Sequence, residues 1–264
     1  MSFEERWLNI LPHGGAAGPR TRARMANLLI EMPHLGHVAH GVVMVALPIL
    51  PGLYELYVAA KDESLLVAAC AVFLPGLLET LGPATTVNLK SDFTKPFEPY
   101  GFAPIEQIHY YTLDRLAPGR EDPRIRGAMI DDLPSLLTID SAAFPLPYRR
   151  GRDEMRMHVQ DASFVRVLEI AGVIAAFSIL QPLGPRYHLG AVGVSPRHQG
   201  EGLGRLLLED AIQVAFARGA SGIGLTTQTR NVRARRLYEK RGFEGEPFSD
   251  FWARAGLGLE LHFS

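Results

Sequence analysis

Between Gly190 and Arg205 the chain reads GAVGVSPRHQGEGLGR: an apolar strand-like run, a proline-bearing turn, and glycines at 200, 202 and 204 where a helical pattern begins. Glycine tolerates positive φ and lets a ligand approach the main chain closely. Successive amides at a helix start, backed by the positive end of the helix dipole, point at one bound anion. The segment therefore reads as a phosphate cradle. A P-loop would need Lys-Ser/Thr after its last glycine, and Arg205-Leu206 stands there instead. A dinucleotide fingerprint would need G-x-G-x-x-G and an acidic residue at the end of the next strand, whereas the spacing is G-x-G-x-G and Gly222–Thr227 offers no carboxylate.

Periodicity orders the rest of the second half. Asp131-Asp132-Leu133-Pro134 predicts a helix start. Residues 164–170 and 173–180 alternate as strands around a two-residue turn, Ala171-Gly172, and 187–194 follows as a third strand. Residues 202–218 carry Leu203, Leu206, Leu207, Ala211 and Val214 on one helical side, and Gly219 stops the helix. A short strand spans 223–227. Asn231 then caps a helix ended by Gly242, with Phe243 placed for the C-terminal contact. Residues 248–253 and 257–263 read as two closing strands.

Two motifs in this order resemble the GNAT superfamily of N-acetyltransferases. Gln199, Gly202 and Gly204 fill its Q/R-x-x-G-x-G/A loop, and Asn231 through Phe243 is similar to its N-x-x-A-x-x-L-Y-x-x-x-G-F segment. The resemblance covers residues 124–264 and implies an α/β (α+β) fold, a central mixed and mostly antiparallel sheet flanked by helices. It also implies an enzyme that transfers an acetyl group from acetyl-CoA to a primary amine, on a small molecule or on a peptide or protein, without a metal.

What the resemblance implies can be placed residue by residue. The main chain of Val192, Gly193 and Val194 would pair with the pantetheine arm as an added strand does, and one N–H there would stabilise the tetrahedral oxyanion. The amides of Gln199, Gly200, Glu201, Gly202, Leu203, Gly204 and Arg205 would hold the pyrophosphate. Asn231 and Tyr238, two helical turns apart, would face the thioester, with the Tyr238 hydroxyl protonating the departing thiolate. Where some family members carry a glutamate base, this chain has His188. Strand alternation would set His188, Gly190, Val192 and Val194 on one face, and imidazole suits base work near neutrality. A histidine hydrogen-bonded to a neighbouring loop, with the proton leaving through water, is the alternative.

The first half, residues 1–120, reads as a faded copy of the same unit, making a tandem pseudo-duplication. Phe97 to Phe102 overlays Tyr238 to Phe243 at constant offset, and residues 53–60, 64–81 and 86–89 repeat strand, helix, strand. Its glycine loop is missing: Ala60-Lys61-Asp62-Glu63-Ser64 would repel phosphate, and Phe97 lacks the hydroxyl. Residues 116–124, with two prolines and a glycine, read as the linker.

Composition restricts partners more than chemistry. A net charge of −1 argues against a general nucleic-acid or anionic-membrane surface. Cys70 is the single cysteine, and the N-terminus lacks the charge pattern of a secretory signal, so a cytoplasmic protein is expected. The apolar stretches 38–60 and 65–78 contain Pro48, Pro51, Glu55 and Pro75, which argues against a membrane span. His34, His37 and His40 lack metal-site spacing and read as structural. Arg149, Arg150, Arg152 and Arg156 read as a solvated face, with an acidic acceptor as the alternative. Of Arg230, Arg233, Arg235 and Arg236, one or two could reach the cofactor's ribose phosphate. The rival class is a non-catalytic acyl-CoA-binding regulatory module. A first half that covers the acceptor groove or forms a homodimer surface also stays open.

Overall fold

Val42–Leu50, the strand β2, is apolar along its whole length because both of its faces are covered. Val42, Met44 and Ala46 pack into one core while Val43, Val45 and Leu47 pack into another. Such two-sided burial erases the alternation that marks a half-exposed strand. The computed structural model describes residues 2–10, 19–39, 41–115, 121–160 and 164–257.

The chain forms two compact units, the first built from Met1–Ile105 and the segment beginning at Phe251, the second from Glu106–Asp250. In the first, α1 (Phe3–Ile10), α2 (Pro19–Glu31), β1 (Gly36–Ala39), β2, β3 (Leu53–Ala60), α3 (Glu63–Leu81) and β4 (Thr86–Lys90) follow in order. The strands lie β1-β2-β3-β4. β1, β2 and β3 pair antiparallel, and β3 and β4 pair parallel over five residue pairs, Leu53–Tyr57 with Thr86–Lys90. α3 covers one face through Leu66, Cys70, Phe73, Leu74 and Leu77, while Trp7 and Met25 from α1 and α2 cover the other.

α3 runs through Pro75, in keeping with the helix read at 64–81, and is long and apolar enough to cross a membrane by length and composition. Its inward residues are spent on this core. Asp62 caps it, the carboxylate accepting from the Leu65 amide at 2.9 Å.

The second unit holds β5 (Ala103–Leu113) from Glu106 onward, β6 (Ile125–Gly127), α4 (Leu133–Ala143), α5 (Arg152–Gln160) and β7 (Phe164–Ile170). It continues with β8 (Val173–Leu183), β9 (Arg186–Val194), α6 (Leu203–Ala217), β10 (Ile223–Gln228), α7 (Val232–Glu239) and β11 (Glu244–Arg254) as far as Asp250. Its strands lie β5-β10-β9-β8-β7-β6. β9 and β10 are parallel and the other pairs antiparallel. α4 and α5 pack on one face through Leu133, Leu136, Ile139 and Met155, and α6 and α7 on the other through Leu208, Ile212 and Tyr238.

The units do not part at the expected boundary of 120/124. β5 leaves the first unit and pairs antiparallel with β10 in the second, Ile108↔Gln228 to Leu113↔Ile223. Conversely β11 ends in the first unit, where Ala253 and Arg254 pair antiparallel with Asn88 and Val87 of β4. Each unit is thus completed by a strand that follows the other unit's elements in sequence.

Local expectations held at most ends. Ala171 and Gly172 both take positive φ, 51° and 79°, as a tight hairpin of the primed type requires. Three details differ. Asp132 does not cap α4, because Arg126 and the Met129 amide hold its carboxylate at 2.7 Å. Residues 152–160, where Arg152 and Arg156 were read only as part of a solvated face, form α5. The closing strand expected at 257–263 falls, beyond Leu257, outside the described residues, as do 116–120 of the linker.

Candidate acetyl-transfer site

β9 and β10 pair at just three positions, Tyr187↔Ile223, His188↔Gly224 and Leu189↔Leu225. Beyond them β9 keeps to β8 as far as Val194↔Ala176, and β10 keeps to β5. The parallel pair opens into a notch, and β9 runs on from Gly190 to Val194 with no strand paired on that side. At the same point Leu180 pairs Leu189 while Ile179 pairs Ala191, so Gly190 is the extra residue of a β-bulge. A glycine inside a strand was the signal available in the sequence for this bend.

The bulge corrects the expected side-chain directions. Leu189 packs with Leu208 and Ala211 of α6, and Val192 and Val194 also pack on the α6 face. Ala191 packs with Phe177 and Ile179 on the α4 face. His188 therefore lies opposite to Val192 and Val194, not beside them. A Cβ at Gly190 would meet Gln181 Oε1 at 3.0 Å and the His188 ring at 3.9 Å, so those two side chains stand together. Gly193 serves packing: a Cβ there would sit 2.5 Å from the Phe177 ring.

Burial holds the His188 imidazole below its ordinary pKa, which favours the neutral, proton-accepting form at pH 7. Beside it, Tyr110 lays its hydroxyl over Gly224, the register partner of His188.

The loop after β9 has the cradle geometry. Gly200 and Gly202 take φ of 88° and 81°, and nothing lies within 4 Å of where their Cβ atoms would be. Gly202 starts α6 in the left-handed region with no side chain to cap it. The Leu203 and Gly204 amides are thus left for a ligand, while the Arg205 amide, at the position that Asp62 serves in α3, already donates to the Gly202 carbonyl at 3.1 Å. Gly204 is helical, and a Cβ there would meet the Val192 and Val194 side chains at 3.8 and 3.7 Å, ordinary contact distances, so packing alone does not require a glycine. Leu203 is buried in the core, while Arg205 and Glu201 are exposed. Glu201 turns its carboxylate toward His198 Nδ1 at 3.3 Å.

Gln199 donates to the Val194 carbonyl at 3.5 Å, and its Oε1 accepts from Arg233 at 3.3 Å. Arg230 is paired with Glu106, and Arg235 donates to the Tyr111 hydroxyl and the Thr229 carbonyl. Arg233 contacts the loop through Gln199.

Tyr238 lies on the α6 and α7 face, with its ring 5.7 Å from Tyr111 and 6.0 Å from Phe243. Burial pushes its pKa up to about 12, so the hydroxyl stays protonated, as a general acid must. Asn231 caps α7, its Oδ1 accepting from the Ala234 amide at 3.2 Å. That oxygen is spent on the helix and does not face the same task as Tyr238. β5 walls both sides, with Tyr111 against Tyr238 and Tyr110 beside His188. Sequence reading assigned neither tyrosine, because both sit on a strand counted with the first half.

Arg150 is not on a solvated face. Its Nη1 donates to the buried Asp140 at 2.6 Å, its amide donates to the same carboxylate at 2.9 Å, and its Nη2 donates to the Gly190 carbonyl at 2.8 Å. Arg149 donates to the Phe144 carbonyl, and Arg156 pairs with Asp153. His37 packs on Phe73, and His40 lies outside the described residues. Among the described residues no group of three or more His, Cys, Asp or Glu is placed to hold a metal.

Known proteins are similar to this chain in sequence and fold. The acetyltransferase (GNAT) family model matches residues 133–243. The [ribosomal protein bS18]-alanine N-acetyltransferase of Escherichia coli K12 is 32% identical over 112 residues, covering 42% of this chain and 74% of that protein. A mycothiol acetyltransferase of Beutenbergia cavernae is 48% identical over 52 residues, 20% of this chain and 18% of that relative's length. Two solved structures have the same fold. A putative GNAT acetyltransferase from Novosphingobium aromaticivorans has a TM-score of 0.56 at 22% identity, covering 87% of this chain and 94% of its own. A GCN5-related N-acetyltransferase from Sphaerobacter thermophilus has a TM-score of 0.58 at 18% identity, covering 82% and 78%. The chain belongs to the GNAT family of acetyltransferases.

Proposed function

We propose that the second unit transfers an acetyl group from acetyl-CoA to a primary amine by direct attack. The notch between β9 and β10, continuous in sequence with an uncapped glycine cradle, is the observation that carries this reading. Acetyl-CoA supplies an acyl group already activated as a thioester. The amides of 199–204, helped by Arg233, suit its pyrophosphate, and the edge of Ala191–Val194 that no strand pairs suits its amide-bearing arm. His188 and Tyr238 fall on opposite faces of the sheet. That suits a base that takes a proton from an amine arriving on one side and an acid that gives one to a thiolate leaving on the other.

The first unit fits a copy of the second that no longer binds cofactor. Gly101 and Gly242 both take φ of 82°, and the Phe102 and Phe243 amides return to the Phe97 and Tyr238 carbonyls at 3.4 and 3.2 Å. Its parallel strands stay closed for five pairs, and Asp62 plugs its helix start.

Thiol release from acetyl-CoA, measured across peptide N-termini, amino acids and small amines, tests the reading. Turnover with one acceptor class supports it. Saturable acetyl-CoA binding without turnover on any amine would replace it with a binding module.

A further inference from the structure

Arg150 joins two things that have no other reason to meet: a buried carboxylate on α4 and the one carbonyl at which β9 bends away from β10. Asp140 is 1% exposed and the Arg150 side chain 14% exposed, so both charges have left bulk water. A planar guanidinium can donate to a carboxylate with one arm and to a carbonyl with the other, and an ammonium cannot span both. The carbonyl it holds belongs to Gly190, the bulge residue and the residue type least able to fix its own peptide plane. Everything that β9 presents to the notch, from Ala191 to Val194, follows directly from that peptide.

We propose that the Asp140–Arg150 pair is a positioning device that locks the Gly190 peptide and so sets the direction of the β9 edge lining the acetyl-transfer notch. The proposal rests on the reading of the notch as the acyl site. Arg150 touches no reacting atom and acts through the strand. Its loss would leave the cradle intact and misaim the edge, and small misplacements of donors cost large factors in rate.

The test compares Arg150→Lys with Arg166→Lys. Arg166, on β7, gives both arms to Asp210 of α6, both contacts at 2.9 Å. In the ligand-free protein, backbone amide resonances of residues 190–192 should move in Arg150→Lys and stay in place in Arg166→Lys. Turnover should fall about 10- to 100-fold in Arg150→Lys alone, with the acetyl-CoA dissociation constant within about threefold. Asp140→Asn, which keeps the shape of the acceptor, should show the same pattern more weakly and serves if Arg150→Lys does not fold. Unmoved amides, or equal turnover in the two arginine variants, would overturn the proposal. Moved amides in a wild-type protein that acetylates nothing would leave the lock standing and remove the enzyme reading beneath it.

Discussion

The Phe243 amide donates to the Tyr238 carbonyl at 3.2 Å across Gly242, closing the end of α7 and pinning the turn from which the tyrosine ring projects. Tyr238 is therefore held by backbone as well as by its contacts with Tyr111 and Phe243. Tyr238→Phe removes only the hydroxyl. Turnover is expected to fall roughly 100-fold with acetyl-CoA affinity nearly unchanged, the range of a lost general acid. Calorimetric binding alongside steady-state kinetics separates the two, and an equal loss in both would remove the acid role.

His188 gives a pH signature. Its pKa is held below 6.5 by burial, so the acid limb of kcat/KM should inflect below that value and disappear in His188→Gln. The sign for stability follows from the same shift. As pH falls the unfolded chain takes the proton first, so stability drops below pH 6.5 and continues to drop until the folded value is passed. An unchanged acid limb in His188→Gln would mean that the proton leaves through water.

Gly202→Ala tests the cradle. At φ of 81° a Cβ costs about 1 kcal/mol even though open space surrounds it. Backbone directions at the α6 start should shift and acetyl-CoA affinity should weaken several-fold, with the acceptor KM unaffected. Intact affinity would place the phosphate elsewhere.

Much of this was legible in residues 164–243 because β7 and β9 alternate buried with part-exposed residues and the turns are marked by glycines that need positive φ. The bulge was not legible, since Gly190 looks like any strand glycine until its pairing with β8 is known, and so His188 was assigned to the wrong face. β1 and β2 merged into one apolar run because both faces of β2 are buried. Arg150 was taken for a surface charge because its partner Asp140 comes ten residues earlier, on α4, while Arg150 lies in the loop before α5.

A fragment of residues 124–264 separates the present unit boundary from the expected one. It lacks β5, and with it Tyr111 and Leu113 from the core around Tyr238. It should show poor amide dispersion and no acetyl-CoA binding, whereas a fragment with a well-dispersed spectrum would mean that β5 is dispensable.

The pairing of Ala253 with Asn88 also orders events during synthesis. The first sheet cannot receive its closing strand until residue 253 has left the ribosome, so β4 waits with a bare edge while the whole acetyl-transfer unit is made. An exposed parallel strand edge invites pairing with other chains. Slow translation through the second half should therefore favour aggregation of the first.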